Sequence, residues 1–306
     1  MPLTVLGPAA NPGHMQPHEH IFVRRTPAAA NYPALEISDE EKSLAELISY
    51  REAGGSAIVD AQPVGAGRDA RALRRLSEGS GVSIVAVTGF HMPMFYAPDD
   101  KILAASEDEL FERFLRELTV GTEECAEVVA GAVKAAIGRD GAVGGFRTHL
   151  KAAARAAAAA GAPLMLHTEA GAGAVEAIEL CGKLGLPPER VILCHADRQA
   201  SDFSIHERIA DAGCYLEYDT IGRFKYHSDE DEVRLILHML ARGHRDRLLL
   251  SLDATAARLS SYGGEIGLDY LLRTFLPMLR QSGVPEADIL RMTRENPFTA
   301  FSRGDT

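Results

Sequence analysis

Residues 163–195, PLMLHTEAGAGAVEAIELCGKLGLPPERVILCH, contain the pattern that decides the fold. Two short apolar segments, PLMLHT and VILCH, enclose a longer stretch whose apolar residues recur near the 3.6-residue period of a helix. The order strand, helix, strand is the unit from which parallel sheets are built. Each apolar segment also carries a histidine at or near its carboxyl end.

The same unit recurs along the whole chain. Short apolar or β-branched segments predict eight strands, over residues 18–22, 56–62, 82–89, 130–137, 163–168, 191–195, 214–220 and 248–253. Amphipathic helices are predicted between strands, for example over residues 107–120, 148–160, 174–184 and 231–242. Eight alternations predict a closed (β/α)8 TIM barrel. A doubly wound open sheet fits the same alternation, so periodicity alone favours the barrel only modestly.

Length and composition narrow the class of protein. A barrel of 306 residues is compatible with one domain over residues 1–306. The formal net charge of −11 argues against nucleic acids and anionic membranes as partners and leaves a small-molecule substrate. The first residues lack the basic and apolar regions of a signal peptide, and the four cysteines form no C-x-x-C pair, so we expect a cytoplasmic protein with buried thiols. A homodimer is compatible with these data.

Polar residues at the ends of the predicted strands indicate a metal site. His18 and His20 would share one face of a strand, because side chains alternate along it. His167, His195 and Asp253 lie at or next to the carboxyl ends of later strands, which form the catalytic rim of barrel enzymes. Taken singly, an H-x-H pair arises by chance, a lone histidine is more often a core residue, and an aspartate often caps a helix. Their equivalent positions on successive strands make coincidence a poor explanation.

Lys134 lies in the middle of the apolar segment AGAVKAAI. A buried ammonium is costly unless it is paired or neutralised. Three fates fit this position: a nucleophilic amine that forms a Schiff base, an ion pair with an interior carboxylate, or conversion by CO2 to a carbamate. A fourth reading is a lysine whose long side chain reaches the barrel mouth.

Seven motifs, distributed in order over almost the whole chain, resemble the phosphotriesterase family of the amidohydrolase superfamily; they are HEHIF at 18–22, IVDAQPVGAGRD at 58–69, AGAVK at 130–134, LHTEAG at 166–171, CHADR at 194–198, LDA at 252–254 and ENP at 295–297. The resemblance implies a hydrolase with two divalent cations, zinc in the first place, with Mn2+ or Co2+ as alternatives. His18, His20 and Asp253 would hold the more buried cation, and His167 and His195 the more exposed one. A CO2-derived carbamate on Lys134 would bridge them. The resemblance further implies that a bridging hydroxide attacks the substrate and that Asp253 accepts a proton, so Asp253 and Lys134 are the predicted catalytic residues.

The predicted substrate-binding residues resemble those of the lactonase branch of this family. TGFH at 88–91 and the following aromatic residues indicate His91 and Tyr96, and GRFKYHSD at 222–229 indicates Arg223 and Lys225. Arg258 lies in the loop after Asp253, but it is displaced from the arginine-then-tyrosine arrangement with which that branch binds a phosphate. The charged side chains of Arg223, Lys225 and Arg258 would therefore bind a carboxylate of the substrate or lie in solvent at the rim.

The sequence thus favours a lactonase or related carboxylic-ester hydrolase. A phosphotriesterase that acts on organophosphates is the main alternative, although the absence of tryptophan argues mildly against a large aromatic pocket. A Schiff-base lyase would use Lys134 but leaves the histidines and Asp253 without a role. A non-catalytic binding protein would have no reason to keep all six ligand residues.

Overall fold

The computed structural model describes residues 1–10, 13–169, 171–199 and 201–304. A two-stranded antiparallel hairpin, β1 (Leu3–Thr4) and β2 (Gly7–Pro8), precedes the main sheet. Eight strands then pair in parallel in the order in which they occur in the chain: β3 (His14–Glu19), β4 (Gly55–Asp60), β5 (Ser83–Gly89), β6 (Ala132–Ala136), β7 (Leu164–His167), β8 (Val191–Cys194), β9 (Tyr215–Tyr218) and β10 (Leu248–Leu250).

The sheet closes into a barrel between its first and last strands. Asp253, just after β10, donates its backbone N–H to the carbonyl of His18 in β3 over 3.1 Å, and the Ser251 hydroxyl bonds the same carbonyl. Buried Glu19 strengthens this seam, because its carboxylate accepts the backbone N–H groups of Leu252 and Ala254. The predicted TIM barrel is confirmed, and the open sheet is not observed.

Helices cover the outside of the barrel. They are α1 (Pro27–Asn31), α2 (Glu40–Glu52), α3 (Ala70–Ser80), α4 (Lys101–Ala104), α5 (Glu107–Thr119), α6 (Gly145–Ala160), α7 (Ala174–Lys183), α8 (Ser204–Asp211), α9 (Asp229–Ala241), α10 (Leu276–Gln281), α11 (Glu286–Leu290) and α12 (Asn296–Phe301). π-Helical turns over residues 271–275 and 291–295 lead into α10 and α12. In α6 the buried face is almost entirely alanine, and this small side chain allows the helix to lie close to the strands and to α5.

Apolar side chains fill both sides of the sheet. Those that point into the barrel, among them Val59, Val85, Met165 and Ile192, form a core separate from the larger one between strands and helices. All four cysteines are buried free thiols, as expected. Among the described residues, none of the helices combines the length and the apolar character needed to cross a bilayer.

The first barrel strand differs from its prediction. It spans His14–Glu19 rather than residues 18–22, so it begins four residues earlier and His20 lies just beyond its end. Pro17 lies inside β3, and the register against β4 shifts between Gln16 and Glu19. Proline has no N–H to donate and is uncommon inside a sheet, so the sequence pattern does not predict a strand at this position.

Candidate active site

The six predicted metal ligands converge at the carboxyl end of the barrel. His20, Lys134, His167, His195 and Asp253 line one cavity of about 280 Å3. His18 adjoins them from the barrel interior, where its Nε2 lies 3.3 Å from Lys134 Nζ. The convergence follows from the topology, because parallel strands place all their carboxyl ends at one end of a barrel.

Three of these residues form a compact group. One atom each of His18, His20 and Asp253 lies within 4.8 Å of the others. The Oδ1 atom of Asp253 is 3.4 Å from His20 Nε2 and 3.8 Å from His18 Nε2. Imidazole and carboxylate donors at this spacing suit Zn2+ and related divalent cations.

His167 and His195 form a second group. His167 Nδ1 lies 2.8 Å from His195 Nε2, so the two rings present nitrogen atoms to the same point in the cavity. The side chain of Lys134 lines the same cavity as both groups, and its amine lies 3.3 Å from His18 Nε2 of the first group.

Two carboxylates, one in β9 and one just after it, orient the imidazoles of His18 and His195. His18 Nδ1 lies 2.8 Å from Glu217 Oε2, and His195 Nδ1 lies 2.8 Å from Asp219 Oδ1. A histidine that donates Nδ1–H to a carboxylate directs its Nε2 lone pair away from it, here toward the cavity. Glu217 and Asp219 were not predicted as site residues. Their signal was present in YLEYD, where charged residues two positions apart face the interior of an otherwise apolar strand.

The buried position of these groups sets their protonation. Burial lowers the pKa of Lys134 and of His167, and it lowers the pKa of His20 to about 4. These groups are therefore pushed toward their neutral, electron-donating forms. Burial also lowers the pKa of His18, but Cys194, Glu217 and Asp219 outweigh it and raise that pKa well above its usual value. The negative charges that raise this pKa also favour a metal cation next to His18.

Asp253 has two guanidinium partners. Its Oδ2 atom accepts a hydrogen bond from Arg198 Nη2 over 3.1 Å and another from Arg223 Nη1. Burial raises the pKa of Asp253, but Arg223 and the neighbouring histidines outweigh burial and hold the pKa well below its usual range. Asp253 is thus an ionised carboxylate with Oδ1 toward the histidines and Oδ2 toward the arginines.

The backbone is strained at two of the ligand positions. Among the described residues, His195 (φ 59°) and Asp253 (φ 48°) are the non-glycine residues in the left-handed region. Each directly follows a strand or a short extension of one, and the left-handed turn aims its side chain across the barrel mouth. Strain of about 1–3 kcal/mol per residue persists where a site requires it.

The predicted substrate-binding residues separate into two sets. His91 and Arg223 line the cavity. Tyr96 is not among the lining residues, because its hydroxyl bonds the Val64 carbonyl and the His91 N–H within the core; its neighbour Phe95 lines the cavity instead. Lys225 is exposed, with its amine 4.6 Å from the ring centroid of Tyr226.

Arg258 also lies outside the cavity lining. Its guanidinium donates to the backbone carbonyls of Leu252 and Ile221, so it connects the ends of β10 and β9. This arginine therefore supports the loops of the site from behind.

Comparison with known proteins identifies the family. The model of the phosphotriesterase family matches residues 3–301. The chain belongs to the phosphotriesterase family. It is 31% identical to the phosphotriesterase homology protein of Escherichia coli K12 over 77% of this chain and 80% of that protein. It is 28% identical to the phospho-furanose lactonase of Mycoplasmopsis synoviae over 96% of this chain and 89% of that protein.

A solved structure agrees with this assignment. The lactonase from Listeria monocytogenes superposes with a TM-score of 0.93 at 27% identity, covering 99% of both chains. Membership of a metal-dependent family matches the donor set described above: four imidazoles, a carboxylate and a lysine amine.

Arg198 lines the cavity of this member of the phosphotriesterase family, although it is not one of the predicted site residues. It lies in the CHADR motif, but its contact with Asp253 depends on a loop that periodicity does not describe.

Proposed function

We propose that this member of the phosphotriesterase family is a binuclear metal-dependent lactonase. Its class, a hydrolase that acts on ester bonds, follows from the family. The observation that carries the finer proposal is the convergence of four histidines, Lys134 and Asp253 in and next to one cavity at the barrel mouth. His18, His20 and Asp253 would hold one cation, His167 and His195 the other, and Lys134 as its carbamate would bridge both.

The surroundings of Lys134 support the carbamate. Its side chain is fully buried, and its nearest polar partner in the described residues is the imidazole of His18. Burial favours the neutral amine, which is the form that reacts with CO2. The resulting anion would offset the positive charge of two cations, whereas an ammonium there would be repelled by them.

Two divalent cations would polarise the substrate carbonyl as Lewis acids and make water acidic enough to attack at neutral pH. Arg198 and Arg223 would keep Asp253 ionised and fix its Oδ2 atom before the attack. Asp253 would then receive the proton lost by water and pass it to the alkoxide oxygen that leaves the acyl carbon. His91 would contact the substrate from the cavity wall, where it stacks on Phe95 at 4.2 Å between ring centroids.

The cavity favours an uncharged lactone with an apolar substituent. Much of its outer wall is apolar or aromatic: Leu35, Met92, Met94, Phe95 and Tyr226. The arginines that line it, Arg198 and Arg223, already bond Asp253. Lys225 and Arg258 lie outside the lining. A phosphate group would compete with Asp253 for the positive charge of these two guanidinium groups, so we propose a substrate without phosphate.

A substrate panel tests this proposal. The metal-replete protein is given γ- and δ-lactones with alkyl substituents of increasing length, a phosphorylated furanose lactone and an aryl phosphotriester, with acid release followed by a pH indicator. We expect the highest kcat/KM for an uncharged lactone with an alkyl substituent. A preference of tenfold or more for the phosphorylated lactone would overturn the substrate proposal, and a preference for the phosphotriester would replace the lactonase proposal itself.

A further inference from the structure

A second group of buried donors lies next to the candidate centre. Asp197 follows β8, His227 ends the loop after β9, and Glu232 lies in the first turn of α9. Asp197 and Glu232 are fully buried and the His227 side chain is 5% exposed. One ligand atom of each lies within 4.8 Å of the others. None of the three belongs to the six predicted ligands.

Glu232 lacks hydrogen-bond donors. Neither of its carboxylate oxygens receives a hydrogen bond from the described residues, and Oδ1 of Asp197 is equally without a donor. Burial, together with the charges of Asp197 and Asp229, raises the pKa of Glu232 well above its usual value. Asp197 Oδ2 accepts the backbone N–H of Thr220 over 2.6 Å, so three of the four oxygens of this carboxylate pair receive no hydrogen bond from the described residues. Buried carboxylates with so few donors are costly, and a bound cation is one of the few ways to compensate both.

His227 presents a nitrogen to both carboxylates. Its Nδ1 lies 3.0 Å from the carbonyl of Ser228, which as an acceptor requires the proton to be on Nδ1. Nε2 then faces inward, 3.2 Å from Glu232 Oε2 and 4.0 Å from Asp197 Oδ2. Donors of a tetrahedral zinc ion stand roughly 3.4 Å apart when the bonds are about 2.1 Å long. The observed separations lie on either side of that value.

We propose that Asp197, His227 and Glu232 form a structural site for one divalent cation with zinc-like preferences, separate from the six-ligand centre. In the structure the hydroxyl of Thr220 donates a hydrogen bond to His227 Nε2 over 3.0 Å, and its oxygen would be available as a further donor once a cation took the place of that bond. Such an ion would tie the turn after β8 to the loop after β9 and to the start of α9.

This position gives the site a role in the neighbouring centre. Arg198 directly follows Asp197, and Arg223 lies in the loop that ends at His227. Both arginines bond Oδ2 of Asp253. A cation that fixes both loops would therefore fix both guanidinium groups on Asp253. The competing arrangement is a proton shared between Asp197 and Glu232, which needs no metal.

Counting bound zinc tests the proposal. Full-length protein is produced with Zn2+ as the supplemented metal, freed of loosely bound ions by gel filtration and analysed for zinc per chain. The variants are Glu232→Gln, which keeps the shape of the side chain, and His227→Ala, which changes a loop residue. Glu230→Gln is the matched control, because it removes the same charge from the same helical turn at an exposed position.

We expect Glu232→Gln and His227→Ala to hold one zinc ion fewer than the wild type, and Glu230→Gln to hold the same number. Equal zinc content in the wild type and the His227→Ala variant would overturn the proposal and leave the shared proton as the explanation. The test compares the zinc content of each variant with that of the wild type, so its outcome does not require the binuclear centre to bind zinc. Failure of that centre would instead appear as a low zinc content in the wild type.

Discussion

Lys134 is a fully buried lysine of the candidate site, and its amine lies 3.3 Å from the imidazole of His18. Replacing it with alanine removes the only proposed bridge between the two groups of histidines. We expect Lys134→Ala to lose at least one cation per chain, with an affinity loss beyond the 10–100-fold typical of residues that only support metal ligands. Activity should fall with metal content, and small carboxylic acids with bicarbonate should restore part of it. Elemental analysis and lactone hydrolysis measure both effects.

Lys183→Ala is the control for this variant, because Lys183 is an exposed residue of α7. It should keep the metal content and the rate of the wild type. Full metal content and full activity in Lys134→Ala would contradict the bridging role and leave the lysine as a core residue.

Asp253 combines two functions in one carboxylate, with Oδ1 toward His18 and His20 and Oδ2 toward the arginines. In Asp253→Asn the side-chain NH2 must face either the guanidinium groups or the cation. Its partial positive charge would repel either one. The variant also cannot accept a proton. We expect kcat to fall by roughly 10² to 10⁴, together with weaker metal binding, as measured by steady-state kinetics and metal titration. Parental kcat with two bound cations would exclude Asp253 as the base.

The residues of the candidate site were predictable to different degrees. The six proposed ligands stand in or next to strands, where an apolar pattern makes a histidine, lysine or aspartate conspicuous. Glu217 carries the same signal, because it is a charged residue within the apolar segment CYLEYDT. Arg198, Phe95 and Tyr226 contact the cavity from loops, whose course depends on tertiary contacts such as the Arg198–Asp253 hydrogen bond. For the same reason the sequence could not show that Tyr96 and Arg258 turn away from it.

At the scale of elements, a buried arginine joins the loop after β4 to the end of α5. Arg68 donates to Glu117 at 2.6 and 2.8 Å and to Glu124 at 2.6 and 2.7 Å. Burial raises the pKa of Glu124, but Arg68 outweighs burial and lowers that pKa below its usual 4.5. The folded state therefore binds this proton more weakly than the unfolded chain. The stabilisation is complete above about pH 5.5 and is lost as the pH falls below about 4.5.

We accordingly expect Glu124→Gln to lower the free energy of unfolding by about 1.5–3 kcal/mol at pH 7, as for hydrogen bonds to charged groups. The difference from the wild type should shrink as the pH is lowered from 5 to 3, measured by urea unfolding. Glu123→Gln is the neighbouring control, since the Glu123 side chain is 47% exposed where it pairs with Arg113, and its effect should stay below about 1 kcal/mol at every pH. A Glu124→Gln deficit that does not change with pH would contradict the ion-pair account.

The order of elements was predictable because seven strands form apolar segments and the longer helices are amphipathic. Helix α5 begins at Glu107 as predicted, where Ser106 and Glu109 form a capping box. Helix α9 begins two residues before its prediction, at a similar box formed by Ser228 and Asp231. The short helices α1, α4 and α10–α12 have too few turns to show a period. Strand β3 was displaced in the prediction by Pro17.

At the scale of the whole molecule, the carboxyl end of the barrel concentrates buried charge. Among the described residues, the carboxylates there with at most 7% of their surface exposed include Asp197, Glu217, Asp219, Glu232 and Asp253. The chain as a whole is also acidic, with a formal net charge of −11. Divalent cations bound at this end would relieve repulsion that folding otherwise imposes. Metal binding should therefore stabilise the whole protein as well as catalyse its reaction.

Removal of metal measures this contribution. A cation present at 100 times its dissociation constant stabilises the folded state by about 2.7 kcal/mol, which for a chain of this size corresponds to a rise in Tm of about 4 °C. We expect a chelator to lower the Tm by at least that amount and added Zn2+ to restore it. In Lys134→Ala, which should bind metal weakly, the chelator should have a much smaller effect. If the chelator leaves the wild-type Tm unchanged although elemental analysis shows that the metal has gone, the buried carboxylates must be neutralised by protons, and the stability of the barrel does not depend on its metal.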